Sequence, residues 1–285
     1  MNRRKFIAGT AGVGAAYLGS HGIADALTIP TPTGKAEAQD TVTLGKTGIR
    51  TSRLAMGTGT VGAGGSSNQT RAGGLPRLLR TGYDRGLTFF DTADSYGSHP
   101  EVAEAVSQLP REKVVIMTKC DHRDPKQARA DLDRYRRELK TDYIDILLIH
   151  CVTEGDWTER YRGVMDVFEE AKQKKIIRAH GVSCHSIDAL RAAARSPWVD
   201  VDLVRLNPVG AHMDADAQTV ISVIKEMRAQ GKGIIGMKIL GQGAMRTRQD
   251  EAIRFALGSG VLDAFTIGAE SQNEQADLIK RIAAA

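Results

Sequence analysis

From residue 41 onward, short apolar runs recur at near-regular intervals: 54–57, 88–92, 114–118, 144–149, 177–182, 201–206, 234–239 and 264–267. Each is too short for a helix and apolar on both of its alternating faces, the pattern of a strand covered on two sides. Between them, and after the last, apolar residues fall at helical spacing over 75–85, 101–109, 125–139, 161–174, 187–195, 217–230, 249–257 and 273–282. Asp124 before Pro125, and Ser186 before Ile187, are placed to cap two of these helices. The short spacers favour parallel pairing through helical crossovers. The opening 41–55, TVTLGKTGIRTSRLA, reads as a small hairpin turning at Lys46-Thr47-Gly48.

Eight strands, each followed by a helix, predict an α/β fold of the closed (β/α)8 TIM-barrel type. The domain would run over 41–285, close to the length of about 250 residues usual for that architecture. The rival is an open doubly wound sheet, which would need a glycine fingerprint opening a helix directly after its first strand. The glycine-rich stretch GTGTVGAGG at 57–65 is not read as that fingerprint, so the barrel is preferred.

Composition narrows the class. The chain has 285 residues, 41% of them hydrophobic, enough for one large core. The formal charge of +5 falls to about +3 once residues 1–26, with Arg3, Arg4, Lys5 and Asp25, are set aside. So small a balance, without a basic stripe, gives no case for nucleic acid. Residues 1–26 read as an export leader. Adjacent arginines precede a weakly apolar stretch too short and glycine-rich to span a membrane, and Ala24-Asp25-Ala26 offers a small-residue cleavage site. RRKFI resembles a twin-arginine signal, which implies export of the folded protein by the twin-arginine machinery to the periplasm or beyond. Residues 27–40 read as a linker. Three cysteines, Cys120, Cys151 and Cys184, leave an odd thiol whatever pairing occurs.

In a barrel the chemistry gathers at the carboxyl ends of the strands. There the chain places Asp91, Asp94 and Tyr96 after the second barrel strand, Lys119 after the third, His150 after the fourth, Ser183 and Cys184 after the fifth, Asn207 after the sixth and Lys238 after the seventh. A phenol holds its proton until a substrate oxygen becomes basic, and an adjacent ammonium eases its release. Lys119 can do that for Tyr96, Asp91 can anchor Lys119, and His150 can hydrogen-bond the reacting oxygen. No nucleophile with a coupled base is evident in the pattern, so addition to a carbonyl suits these groups better than hydrolysis.

These residues carry a resemblance. DTADSYG, VVIMTKC and KTDYIDILLIH match in order the motifs that supply the Asp, Tyr, Lys and His tetrad of the aldo/keto reductases, and the likeness covers residue 41 to the last helix. It implies reduction of small or medium aldehydes and ketones with NADPH, NADH not being excluded, and Tyr96 as proton donor. It further implies that the nicotinamide lies near Ser183 and Asn207, and the phosphates near Lys238, Gly241, Gly268, Ser271 and Gln275. The chain departs from the family in GVSCH, with Cys184 where an asparagine is common, and in VRLNP, which lacks the stacking tyrosine.

Two other readings stay open: a family member that binds or senses without useful turnover, and a metal-dependent enzyme at the same mouth. Against a metal, strand alternation turns Cys120 and Cys151 away from the mouth if Lys119 and His150 face it. In the loop 151–161, Trp157 is the best candidate for a substrate-facing aromatic, packing over the barrel rim being its alternative role.

Overall fold

The computed structural model describes residues 34–285; the leader at 1–26 and the first part of the linker lie outside the described residues. The chain opens with the expected antiparallel hairpin, β1 (Thr41–Thr43) and β2 (Arg50–Ser52). Eight parallel strands follow: β3 (Leu54–Gly57), β4 (Phe89–Asp91), β5 (Val115–Cys120), β6 (Ile144–Val152), β7 (Ile177–Cys184), β8 (Val201–Arg205), β9 (Gly233–Met237) and β10 (Ala264–Ile267). Each pairs with its neighbours in chain order, and β10 closes on β3, so the barrel is complete. The helices form the outer ring: α1 (Asn68–Ala72), α2 (Leu75–Asp84), α3 (His99–Val106), α4 (Pro125–Leu139), α5 (Trp157–Arg160), α6 (Arg162–Gln173), α7 (Ile187–Arg195), α8 (Ala217–Ala229), α9 (Gln249–Gly258) and α10 (Gln272–Ala284). Asp124 and Ser186 cap α4 and α7 as their positions predict, accepting from the amides of Gln127 and Ala189. Among the described residues no helix is long and apolar enough to cross a membrane.

The alternation of side chains sorts the core into two layers. Phe89, Val115, Met117, Ile146 and Leu148 point into the barrel, while Phe90, Ile116, Leu147 and Ile149 pack under the helices. Leu44 and Ile49 of the hairpin join the inner layer and close the barrel floor, where Lys46 N–H donates to the Gly231 carbonyl and Gly45 N–H to Asp263. Ala38, in the stretch read as linker, is buried, and its carbonyl accepts from Leu54.

The glycine stretch after β3 departs from its sequence reading in one respect. Gly57, Gly59 and Gly62 do stand at G-x-G-x-x-G spacing. No helix opens there, however, since α1 begins at Asn68, and these glycines serve the barrel mouth instead.

Candidate active site

The parity that fills the barrel also sets its mouth. Asp91 and Lys119 continue the inward rows of Phe89 and of Val115 and Met117, so both carry charge into the upper barrel. Lys119, 1% exposed, donates to Asp91 Oδ1 at 2.5 Å and to the Thr92 carbonyl at 2.7 Å; Thr266 donates to Asp91 Oδ2 at 2.7 Å. A buried pair with its remaining valences filled is held in one geometry, and loss of either partner leaves an uncompensated charge. Burial pulls the Lys119 pKa down, but Asp91 and Tyr96 outweigh it and the ammonium is held above its ordinary value.

Tyr96 ends a 3-10 turn, Asp94–Tyr96, stopped by Gly97 at φ +64°. The Lys119 ammonium stands 4.7 Å from its ring centroid. Burial pushes the phenol above its ordinary pKa, Lys119 pulls the other way, and Asp91 adds to the rise. The ring lies in space left by glycine: a Cβ on Gly59 would sit 2.3 Å from it, and one on Gly62 2.6 Å. Asp94, beside it, receives both arms of Arg134 at 2.8 and 2.9 Å, and Arg134 also binds Asp131 and Glu138. Asp94 therefore fixes the turn. The groups Asp94, His122, Asp131 and Asp94, His99, Glu138 have the spacing of cation ligands, yet all three carboxylates are gathered by that guanidinium.

His150 meets Tyr96 edge to face, ring centroids 5.8 Å apart. Its Nδ1 bonds Asp121 Oδ1 at 2.7 Å. Burial disfavours charging of this imidazole, but Asp121 and the neighbouring Cys151 prevail, and its pKa is raised. Sequence reasoning missed Asp121; the available signal was its place two residues after Lys119, at the end of the adjacent strand.

Cys151 overturns its expectation. The β6–β7 register slips between Ile149 and Val152, and Cys151 takes φ +50° within that bulge. The extra residue breaks the alternation, so Cys151 is exposed at the mouth while Cys120 and Cys184 are buried, and all three are free thiols. Trp157 is corrected as well. It is 0% exposed, donates Nε1 to the Ala189 carbonyl at 3.2 Å and packs edge to face on Trp198, so it belongs to the helix layer and not to a substrate wall.

A cavity of about 280 Å³ opens at the mouth, walled by Gly57, Gly59, Asp91, Tyr96, Lys238 and Gly268. A larger depression of about 700 Å³, between α3 and α4, touches none of the tetrad. Of the residues expected near a cofactor, Lys238 and Gly268 line the mouth cavity. Ser183 is buried, its Oγ accepting from the Cys151 amide at 3.1 Å. The Asn207 amide is spent on the Ala211 and Lys238 carbonyls and on the N–H groups of Val209 and Ala211. Gly241, at φ +56°, donates its N–H to the Lys238 carbonyl. Ser271 caps α10, and Gln275 faces α2, donating to the Leu78 carbonyl and accepting from Arg85.

Two places have features suited to parts of a nicotinamide dinucleotide. The glycine-walled cavity offers room against Tyr96, and the amides of Gln272 and Asn273, in the first turn of α10, find no acceptor among the described residues. Such amides suit phosphate. They border a groove of about 180 Å³ lined by Gly74, Glu270, Ser271 and Gln272.

Known proteins resemble this chain in sequence and in fold. The L-galactose dehydrogenase of Arabidopsis thaliana is 23% identical over 214 residues, 71% of this chain and 66% of that protein. The NADH-specific methylglyoxal reductase of Escherichia coli K12 is 28% identical over 188 residues, 56% of each chain. The chain thus spans between half and two thirds of the length of these relatives. Among solved structures, an aldo/keto reductase from Klebsiella pneumoniae in complex with NADP and acetate superposes with a TM-score of 0.65 at 21% identity, covering 85% of this chain and 89% of that one. That likeness shows the fold. The aldo/keto reductase family profile matches residues 53–276, most of the barrel, and the chain belongs to that family.

Proposed function

We propose that this protein reduces small or medium aldehydes and ketones to alcohols with NADPH, Tyr96 supplying the proton. The observation that carries the reading is the Lys119 ammonium, anchored on Asp91 at 2.5 Å and set 4.7 Å from the centre of the Tyr96 ring. A reduced nicotinamide, when bound, supplies the hydride. The remaining work falls to the chain. His150 and Tyr96 direct hydrogen bonds at the carbonyl oxygen, favouring it most as negative charge builds there. The Tyr96 phenol, kept protonated by burial, releases its proton to that oxygen, and Lys119 stabilises the phenolate left behind. Asp91 keeps the ammonium in place throughout.

The test is oxidation of NADPH by purified protein with a panel of small aldehydes, beside Tyr96→Phe. A loss of roughly 10²–10⁴-fold in kcat with cofactor affinity retained supports the mechanism; full turnover by the variant would refute it. Running NADH in parallel decides the cofactor, a point on which the NADH-specific relative makes either answer informative.

A second reading, binding or sensing without useful turnover, draws on the internal engagement of Ser183, whose hydroxyl accepts the Cys151 amide, and of Asn207, whose amide is bonded at both ends within the protein. Saturable NADPH binding without aldehyde-dependent oxidation would favour it. The proposal extends to location: residues 1–26 direct folded export by the twin-arginine route. Replacing Arg3 and Arg4 by lysine should retain the protein in the cytoplasm, and unimpaired export would remove that part.

A further inference from the structure

We infer that Cys151, paired with His185, is a nucleophilic site at the barrel mouth that captures α,β-unsaturated carbonyl compounds by conjugate addition. Four observations converge on it. The bulge between Ile149 and Val152 turns an exposed sulfur to the mouth, where regular alternation would have buried it. Cys151 holds φ +50°, a conformation that a side chain adopts only at a cost of order 1 kcal/mol or more, and the Ser183 hydroxyl secures it by accepting its amide at 3.1 Å. The His185 Nε2 lies 3.6 Å from Cys151 Sγ. His150, 6% exposed and with Nδ1 taken by Asp121, stands beside the thiol and shares a hydrogen bond with it.

The electrostatics agree. Partial enclosure pushes the Cys151 thiol up, but the flanking imidazoles of His150 and His185 overcome it and bring its pKa down to about 5. Lys238 and Tyr96 also lie within range of its charge. Cys120, by contrast, is pushed up to about 12 by burial and Asp131, and Cys184 is raised by burial and Asp202.

Conjugate addition needs a soft nucleophile on one side and hydrogen-bond donors for an enolate oxygen on the other, and the mouth offers both. The sulfur lone pair forms the bond to the β-carbon, the alkene π pair shifts so that charge rests on the carbonyl oxygen, and the His185 imidazolium or water returns a proton to the α-carbon. Nothing is oxidised and no group leaves. The site needs no cofactor, so its test is independent of the reductase reading.

The probe is N-ethylmaleimide, followed by peptide mapping over pH 5–9 on the full chain. Cys151 should be alkylated at least tenfold faster than Cys120 and Cys184, with a rate that levels off above about pH 6, where the thiolate is fully formed. His185→Gln should move that plateau upward by a pH unit or more. A small 2-alkenal should then add its own mass at Cys151. A Cys151 rate that climbs tenfold per pH unit through pH 8, as for an ordinary thiol, would overturn the inference, as would first labelling at another cysteine. The wild-type profile decides the matter even if the His185 variant does not fold.

Discussion

Asp121 holds Nδ1 of His150 at 2.7 Å, and that one bond settles what the opposite nitrogen can do. Burial raises the Asp121 pKa, but the His150 bond outweighs it and the carboxyl is held below its ordinary range. The ionised carboxylate only accepts, so Nδ1 carries the proton, and Nε2 becomes a donor when the ring is charged. Because the folded-state His150 value is raised, the stability it contributes is fully present below about pH 6.5 and is lost as pH rises through the folded value. In Asp121→Asn the largest cause opposing burial is removed and only Cys151 still opposes it. Titration of the His150 ring by NMR should move downward, and a titration that does not move would show that Asp121 is not what holds it.

Gly59 stands against the tyrosine ring with no room for a methyl group. Gly59→Ala should displace Tyr96 and lower kcat by roughly 10–100-fold, since misplacement of a reacting group by about 1 Å has that scale of effect. The circular dichroism spectrum should be unchanged. A variant with wild-type kcat would mean that the ring position is not critical.

Trp157 is structural. Trp157→Ala should cost about 3–5 kcal/mol in denaturant unfolding, the range for an aromatic removed from a packed layer. Turnover per folded molecule should stay as in wild type. If substrate selectivity changed while stability held, Trp157 would have to be reassigned to the mouth.

Asp202 is a buried acid on β8 that accepts from the Cys184 thiol at 3.4 Å and leaves Oδ1 without a partner. Burial raises its pKa to about 7. Here the folded state binds the proton more tightly than the unfolded one, so stability falls as pH rises from about 4 to 7 and is lowest above that. Asp202→Asn should stabilise the protein at pH 8 by up to about 4 kcal/mol and flatten the decline between pH 4 and 7. Urea midpoints at the two pH values would measure it, and an unchanged difference between them would contradict the assignment.

The barrel was legible because both of its layers leave a mark in the chain. The runs 54–57 and 264–267 coincide with β3 and β10 to the residue, and the other six runs each contain most of a strand. Asp91, Tyr96, Lys119 and His150 could be placed for the same reason, since each lies at or just beyond a strand end whose parity is set by the core. Cys151 escaped because a bulge leaves no trace in hydrophobic periodicity. Asp121 and Asp202 escaped because partners across strands or buried on the outer face depend on register, which periodicity does not supply. Trp157 was ambiguous from sequence because an aromatic in a loop can face either the rim or the helix layer, and only packing on Trp198 decides between them.

The hairpin that seats Leu44 and Ile49 under the barrel has a consequence for traffic. Buried apolar side chains close the barrel below Lys119 and Asp91. In the proposed reaction Tyr96 would regain its proton through the same opening that would admit the carbonyl compound and release the alcohol. Proton refilling and ligand exchange would then compete for one doorway, and a bulky product slow to leave would keep the phenolate from regaining its proton until it departs.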